Sequence, residues 1–298
     1  METELIKDRS LSSCIKTANN LLGINFAKTI KGTWLPALLF AIMTALFGIF
    51  ALQEISATSL GSPSPTILSY VRSIGTWVVS LGLWAYFFAS VITLVSESGL
   101  KQNLRRSLAI VGVELTVYLI LMAIGFVVVR MVVMSHLGKP FTPNFITLVC
   151  AVTVAWVLLV ALIMVPFKYA EMRYLLSPNG SLRRNLIAYY VSGVRGGSLL
   201  IGTTFFTVLA SACLGAIIFL PTFILLGART SSLLGELTMN DPSGLPPYFN
   251  ALLIGSIVLT TFIFMIVVAW SVFVFYYVYG SIEHRRQMKK QKQAATAE

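Results

Sequence analysis

The chain has 298 residues, of which 57% are hydrophobic and only 11% charged, with three cysteines and a formal net charge of +11. Soluble domains carry about 25% charged residues to cover their surface, so this composition excludes an ordinary water-soluble fold. Cys14, Cys150 and Cys213 are odd in number, far apart and without C-x-x-C spacing, so neither a disulfide framework nor a zinc site is expected.

A bilayer-spanning helix needs about 20 mostly apolar residues. In chain order, the opening segment 1–32 is partly polar and basic. Leu11, Cys14, Ile15, Ala18, Leu22 and Phe26 share one helical face there, with Lys16, Asn19 and Asn20 elsewhere. That pattern predicts a helix lying in the headgroup region. The first apolar run, Thr33–Leu52, begins too late for a secretory signal and reads as a retained span. A turn-rich outer loop, Gln53–Ser73, contains Gly61-Ser62-Pro63-Ser64-Pro65.

The second run is Ile74–Val95. It is followed by a basic loop with Lys101, Arg105 and Arg106, whose apolar stripe Leu100, Leu104, Leu108 and Val111 predicts a second surface helix. The third and fourth runs are Leu108–Met134 and Phe145–Phe167. A third basic segment then carries Arg183, Arg184 and Arg195, with Leu186, Ile187, Tyr190, Val191 and Val194 as its stripe. The fifth run, Leu199–Gly227, has Pro221 as an expected kink. A loop from Ala228 to Asn250 includes a short helical stretch, Ser231–Leu237, before Asn240-Asp241-Pro242 breaks it. The sixth run is Ala251–Tyr279, and a basic tail follows.

These runs are too long and too uniformly apolar for barrel strands, and helices satisfy every backbone group inside lipid. The expected fold is all-α: six transmembrane helices as three hairpins, with amphipathic inner-face helices before spans 1, 3 and 5. The expected divisions are a cytoplasmic segment 1–32, a transmembrane domain 33–279 and a cytoplasmic tail 280–298.

Lysine and arginine accumulate on cytoplasmic loops. Of the 22 such residues, all but Arg72, Arg130, Lys139 and Arg229 fall on one side of a six-span topology. Both ends are therefore expected in the cytoplasm, with a bacterial inner membrane as the host. The tail has Arg285, Arg286, Lys289, Lys290 and Lys292 within eight residues, a topogenic anchor suited to anionic lipid.

Asn103-Leu104-Arg105-Arg106-Ser107-Leu108 resembles Ser181-Leu182-Arg183-Arg184-Asn185-Leu186. Glu114 lies eight residues past Arg106, and Arg195 eleven past Arg184, so a repeat would place the two at related positions. The two offsets differ by three residues, so the match holds only to within about a helical turn, and chance with the general need for basic inner loops explains it more readily than duplication.

No H-E-x-x-H, G-x-S-x-G, Walker A or dinucleotide-binding glycine pattern occurs. His136, His284, Asp8 and Asp241 all lie outside the apolar runs, so no catalytic, cofactor or metal site is expected and the chain reads as non-enzymatic. Only Glu114 and Arg130 are charged within the runs, both in the third. They stand about 24 Å apart along the helix and do not pair with each other. Glu114, about 9 Å in from Leu108, is a candidate intramembrane site with Arg195 as partner, unless its helix starts deeper and leaves it at the interface. Arg105, Arg106, Arg183, Arg184, Arg285 and Arg286 are candidate lipid-headgroup contacts. Tyr276, Tyr277 and Tyr279 fit an interfacial belt, and Ser211 with Gly215 allows close helix packing.

Expected partners are anionic lipids at the inner face and a protein at the cytoplasmic surface, with no nucleic acid. Two functions stand level: a transporter or permease-like subunit for a small or lipidic solute, and a non-catalytic scaffold in an envelope complex.

Overall fold

The computed structural model describes residues 5–59, 67–136, 142–177, 182–239 and 244–297. Nine α-helices occupy these residues: α1 Leu11–Ile24, α2 Phe26–Ser59, α3 Ile67–Val95, α4 Leu100–Met134, α5 Pro143–Leu176, α6 Leu182–Arg195, α7 Gly197–Ile218, α8 Leu220–Met239 and α9 Phe249–Ala297. Six of them, α2, α3, α4, α5, α7 and α9, are long and apolar enough to cross a membrane. Each overlaps one of the six apolar runs.

The differences from the sequence expectation lie at helix boundaries. α1 and α6 are helices of their own, separated from the next span by single-residue breaks at Asn25 and Gly196. At the first break, the Asn25 side-chain amide donates to the Leu21 carbonyl at 3.1 Å. The segment before the third span is not a separate helix: Leu100 onward is the start of α4, a continuous helix of 35 residues. Nothing between Lys101 and Val111 interrupts it, since that stretch contains neither proline nor glycine. The fifth run is divided at Phe219, two residues before Pro221, which sits in the first turn of α8 where its missing N–H costs nothing. Ser231–Leu237 is the end of α8, not an isolated short helix. The Gly61–Pro65 and Asn240–Pro242 stretches lie outside the described residues.

The chain divides into two compact units. One comprises Lys16–Leu104 and Phe206–Val274. In it, Thr29, Thr33, Ala37, Ala41 and Ala45 recur every four residues along α2 and are all buried. Small side chains on one face let α3 approach closely. The Leu94 side chain comes within 3.1 Å of where a Cβ on Gly32 would stand. The Phe40 and Trp84 rings lie 5.6 Å apart, and the Arg72 guanidinium sits 4.3 Å over Phe50. Ala45 also joins Phe249, Leu253 and Ile257 of α9 in an apolar cluster. The Thr222 hydroxyl of α8 meets those of Ser256 and Thr260 at 2.8 and 3.0 Å, pairing groups that would otherwise face apolar surroundings. At the other end, the fully buried Asn103 amide reaches Thr93 Oγ1, Ser96 Oγ and the Ser98 carbonyl, tying down the α3–α4 turn.

The second unit contains Arg105–Phe205, the opening segment to Ile15, and the chain from Phe275 onward. Thr142 caps α5, its Oγ1 accepting from the Phe145 N–H at 3.3 Å, with Pro143 in the first turn. α4 and α5 touch at several points. Trp156 Nε1 donates to the Leu121 carbonyl at 3.1 Å and its indole fills the space over Gly125. α6 packs closely on α5 where Gly193 abuts the backbone of Pro166, and the Tyr190 hydroxyl donates to the Ile163 carbonyl at 3.1 Å. Next to Pro166, an apolar cavity of about 250 Å³ is lined by Leu162, Ile163, Tyr190, Val194 and Ile201 among others.

Candidate functional site

Two polar constellations stand out, both in the second unit. The first joins α4 to α5. Lys168 Nζ lies 2.8 Å from Glu171 Oε2 and 3.4 Å from Glu114 Oε1, so two carboxylates converge on one ammonium. Glu171 is 4% exposed, Glu114 17% and Lys168 35%. Lys168 and Glu171 are one helical turn apart on α5, which places them on the same face. With all three ionised the cluster carries one excess negative charge, room for one further proton or small cation.

Arg195 was one candidate partner for Glu114, beside an interfacial position; the ion pair Glu114 makes is with Lys168. The reason is helix length: α5 runs to Leu176, nine residues past the apolar limit at Phe167, and carries Lys168 up against Glu114. The signal for this was present in Lys168-Tyr169-Ala170-Glu171, whose i, i+3 charge spacing continues the helical phase of the apolar run. Next to the cluster, Tyr169 donates to Glu283 Oε2 of α9 at 2.8 Å and packs its ring 5.6 Å from Tyr279. Arg173 Nη1 reaches the Tyr169 hydroxyl at 3.4 Å and its guanidinium lies 4.6 Å over the Tyr189 ring.

The second constellation is a basic cavity of about 710 Å³ between the α6–α7 junction and the polar end of α9. Arg195, Arg285, Arg286, Lys289 and Lys290 line it, and Asp8 is its acidic member. Ser192 and Ser198 add hydroxyls, while Leu199 and Ile282, both buried, give it an apolar floor. Asp8 is engaged by Arg285, whose Nε donates to Oδ1 at 2.7 Å. That hydrogen bond holds the Asp8 carboxyl below the usual carboxylate range. Arg286 Nη1 and His284 Nδ1 are buried atoms without a hydrogen-bond partner among the described residues, although Arg286 lies 3.9 Å from Glu283.

The opening segment is clasped to α9 beside this cavity. The Arg9 N–H donates to Ser281 Oγ, and that hydroxyl donates to the Arg9 carbonyl, both at 3.0 Å. The Arg9 guanidinium lies 4.9 Å over the Tyr277 ring. Gly280 has no side chain because the Leu5 carbonyl occupies the space a Cβ would need.

The expected headgroup residues therefore separate. Arg285 and Arg286 are brought together with Arg195 at one cavity. Arg105 is exposed on α4. Arg106 is turned inward, 8% exposed, donating to the Leu175 carbonyl at 3.2 Å, so it ties α4 to the end of α5 instead of facing lipid. The side chains of Arg183 and Arg184 lie outside the described residues. Among the described residues no cluster of three His, Cys, Asp or Glu fit to hold a metal occurs. Comparisons with protein-family models, with curated proteins and with solved structures find no match for this chain.

Proposed function

We propose that the chain is a permease-like membrane subunit that handles a small or lipidic solute, without enzymatic activity, in a bacterial inner membrane. The observation that carries this is the Glu114–Lys168–Glu171 cluster, in which Glu114 lies inside an apolar run and Lys168 and Glu171 stand just past the end of the next: an ionisable group within a spanning helix is costly and marks an ion or substrate pathway. Two carboxylates around one ammonium form a site that can take up and release a coupling proton.

In this reading the six spans form three hairpins, with both ends in the cytoplasm and α1 and α6 on the inner face. Antiparallel contacts support the hairpins: positions 32, 40 and 50 meet 94, 84 and 72, while 106, 114 and 121 meet 175, 168 and 156. The clasp between the opening segment and α9 supports two ends on one side, as an even number of crossings requires. The excess of lysine and arginine supports a cytoplasmic location for that side.

A second reading, a scaffold subunit, is favoured by α9 itself. Its 49 residues extend about 74 Å, far beyond a hydrocarbon core of about 30 Å, and present a basic helical surface for a partner. Gentle detergent extraction followed by mass spectrometry of co-purifying proteins discriminates the two. An ATPase partner, or proton uptake into proteoliposomes that Glu171→Gln abolishes, is the expected result for the permease. A stable complex lacking any ATPase, with no proton uptake, would replace that reading with the scaffold.

A further inference from the structure

We propose that the basic cavity between α6–α7 and α9 is a binding site for the phosphate of an anionic phospholipid headgroup. The inference rests on the membrane reading of the chain and not on transport.

The first argument is charge. Five cationic side chains face the cavity and Asp8 offsets one of them, leaving a strong excess positive charge in a confined space. Such focusing raises the local concentration of anions. Arginine supplies planar forks matched to phosphate oxygens, and three of the five cations are arginines.

The second argument is position. The sixth apolar run ends at Tyr279, and the α9 side chains of the cavity begin three residues later at Ile282. On the other wall, Arg195 and Ser198 flank the first residue of α7, Gly197. Both walls therefore stand where a spanning helix meets the headgroups, with Tyr276, Tyr277 and Tyr279 in the aromatic zone. The apolar floor of Leu199 and Ile282 suits the glycerol and first methylenes of a lipid better than the ribose or base of a nucleic acid.

The third argument is size. About 710 Å³ falls in the range of sites that enclose a small molecule, ample for a glycerophosphate headgroup. Gly196 contributes by omission: a Cβ there would come within 2.9 Å of the Ile282 side chain, so glycine lets the α6–α7 junction approach α9 and close the wall.

The test uses the full chain in nanodiscs of phosphatidylcholine containing a minor fraction of phosphatidylglycerol, with retained lipid counted by native mass spectrometry. The wild type is expected to retain phosphatidylglycerol preferentially. Each cation near the surface contributes about fivefold, so R195Q/R286Q/K289Q should lower retention by about tenfold or more after salt screening. K101Q/R105Q/R130Q removes the same charge elsewhere and should retain the preference. If the cavity variant does not insert, K289Q/K290Q, confined to the exposed end of α9, carries the same expectation with a smaller loss. Equal retention by wild type and cavity variant would overturn the site, as would equal loss in the control. Displacement of the lipid by millimolar inorganic phosphate would assign the cavity to a free phosphate compound, and displacement by a short oligonucleotide would assign it to nucleic acid. Either displacement overturns the lipid assignment. Resistance to alkaline carbonate extraction is scored separately: a chain that integrates but shows no lipid preference fails the site alone, whereas a chain washed from membranes fails the membrane reading.

Discussion

Arg285 and Asp8 are 277 residues apart in sequence and 2.7 Å apart in space. Both side chains are about half exposed, and an ion pair of that kind is worth at most about 1 kcal/mol. Its strength comes from company: Arg285 Nη2 also reaches the Arg9 carbonyl at 3.2 Å, and Ser281 bonds the Arg9 backbone in both directions. Two side chains of α9 thus hold the backbone of the opening segment.

Gly280→Ala should break that clasp more thoroughly than Arg285→Gln. The alanine methyl would enter the space of the Leu5 carbonyl, backbone that has no rotamer through which to yield. The expected cost is about 1–3 kcal/mol. Limited trypsinolysis should cut after Lys7 or Arg9 several-fold faster in the variant, and unchanged cleavage would remove the clasp from the description.

The clasp should also loosen in acid. Because Arg285 lowers the folded pKa of Asp8, the stabilisation is complete above the unfolded value near 3.8 and is lost as pH falls through the folded value. Cleavage at Lys7 or Arg9 should therefore be flat above about pH 5 and rise below about pH 4, read with an acid-tolerant protease against a neutral reference site. Asp8→Asn should give the high rate at every pH.

In the ion cluster, Lys168→Met should cost more than Glu171→Gln. Removing the ammonium leaves two carboxylates facing each other, whereas removing one carboxylate leaves a simple pair. Breaking a buried pair costs about 3–5 kcal/mol, and Lys168 is a third exposed, so about 2–3 kcal/mol is expected. Thermal unfolding in detergent measures it, and Lys168→Met with Glu171→Gln together should recover part of the loss.

Gly193→Ala should lower the melting temperature although Gly193 lines neither constellation itself. A Cβ there would come 2.7 Å from the Pro166 carbonyl oxygen, forcing α6 off α5. A melting curve that superimposes on the wild type would show that the two helices part without cost.

The proposed topology predicts a labelling pattern in whole cells. Lys290→Cys should react only with membrane-permeant maleimide and His136→Cys also with impermeant reagent. Cys14 should stay unlabelled in the folded protein, because burial hides its thiol and raises its pKa.

Much of the fold could be read in the sequence because lipid imposes one dominant rule, a long apolar run per crossing. Thr33–Leu52 and Ile74–Val95 needed nothing more. Helix ends were harder, because a helix does not stop where its apolar surface stops. α5 continues nine residues past Phe167, and that continuation puts Lys168 and Glu171 beside Glu114. The repeat argument pointed Glu114 at Arg195 through sequence spacing, a one-dimensional measure that ignores which helix packs alongside. Arg106 misled for a related reason: its neighbour Arg105 is exposed, but one position further round the helix the side chain meets the Leu175 carbonyl. Arg285 and Arg286 were legible as basic residues at a membrane edge, whereas their meeting with Arg195 depends on the fold.

The clasp also fixes an order of assembly. Residues 5–9 leave the ribosome long before Ser281 and Arg285, so the opening segment waits through the synthesis of every span before its docking surface exists. Asp8 lines the basic cavity, so that cavity too is completed last. A chain arrested before α9 would lack the partners of residues 5–9 and one wall of the cavity, and residues 5–9 should then be open to proteases.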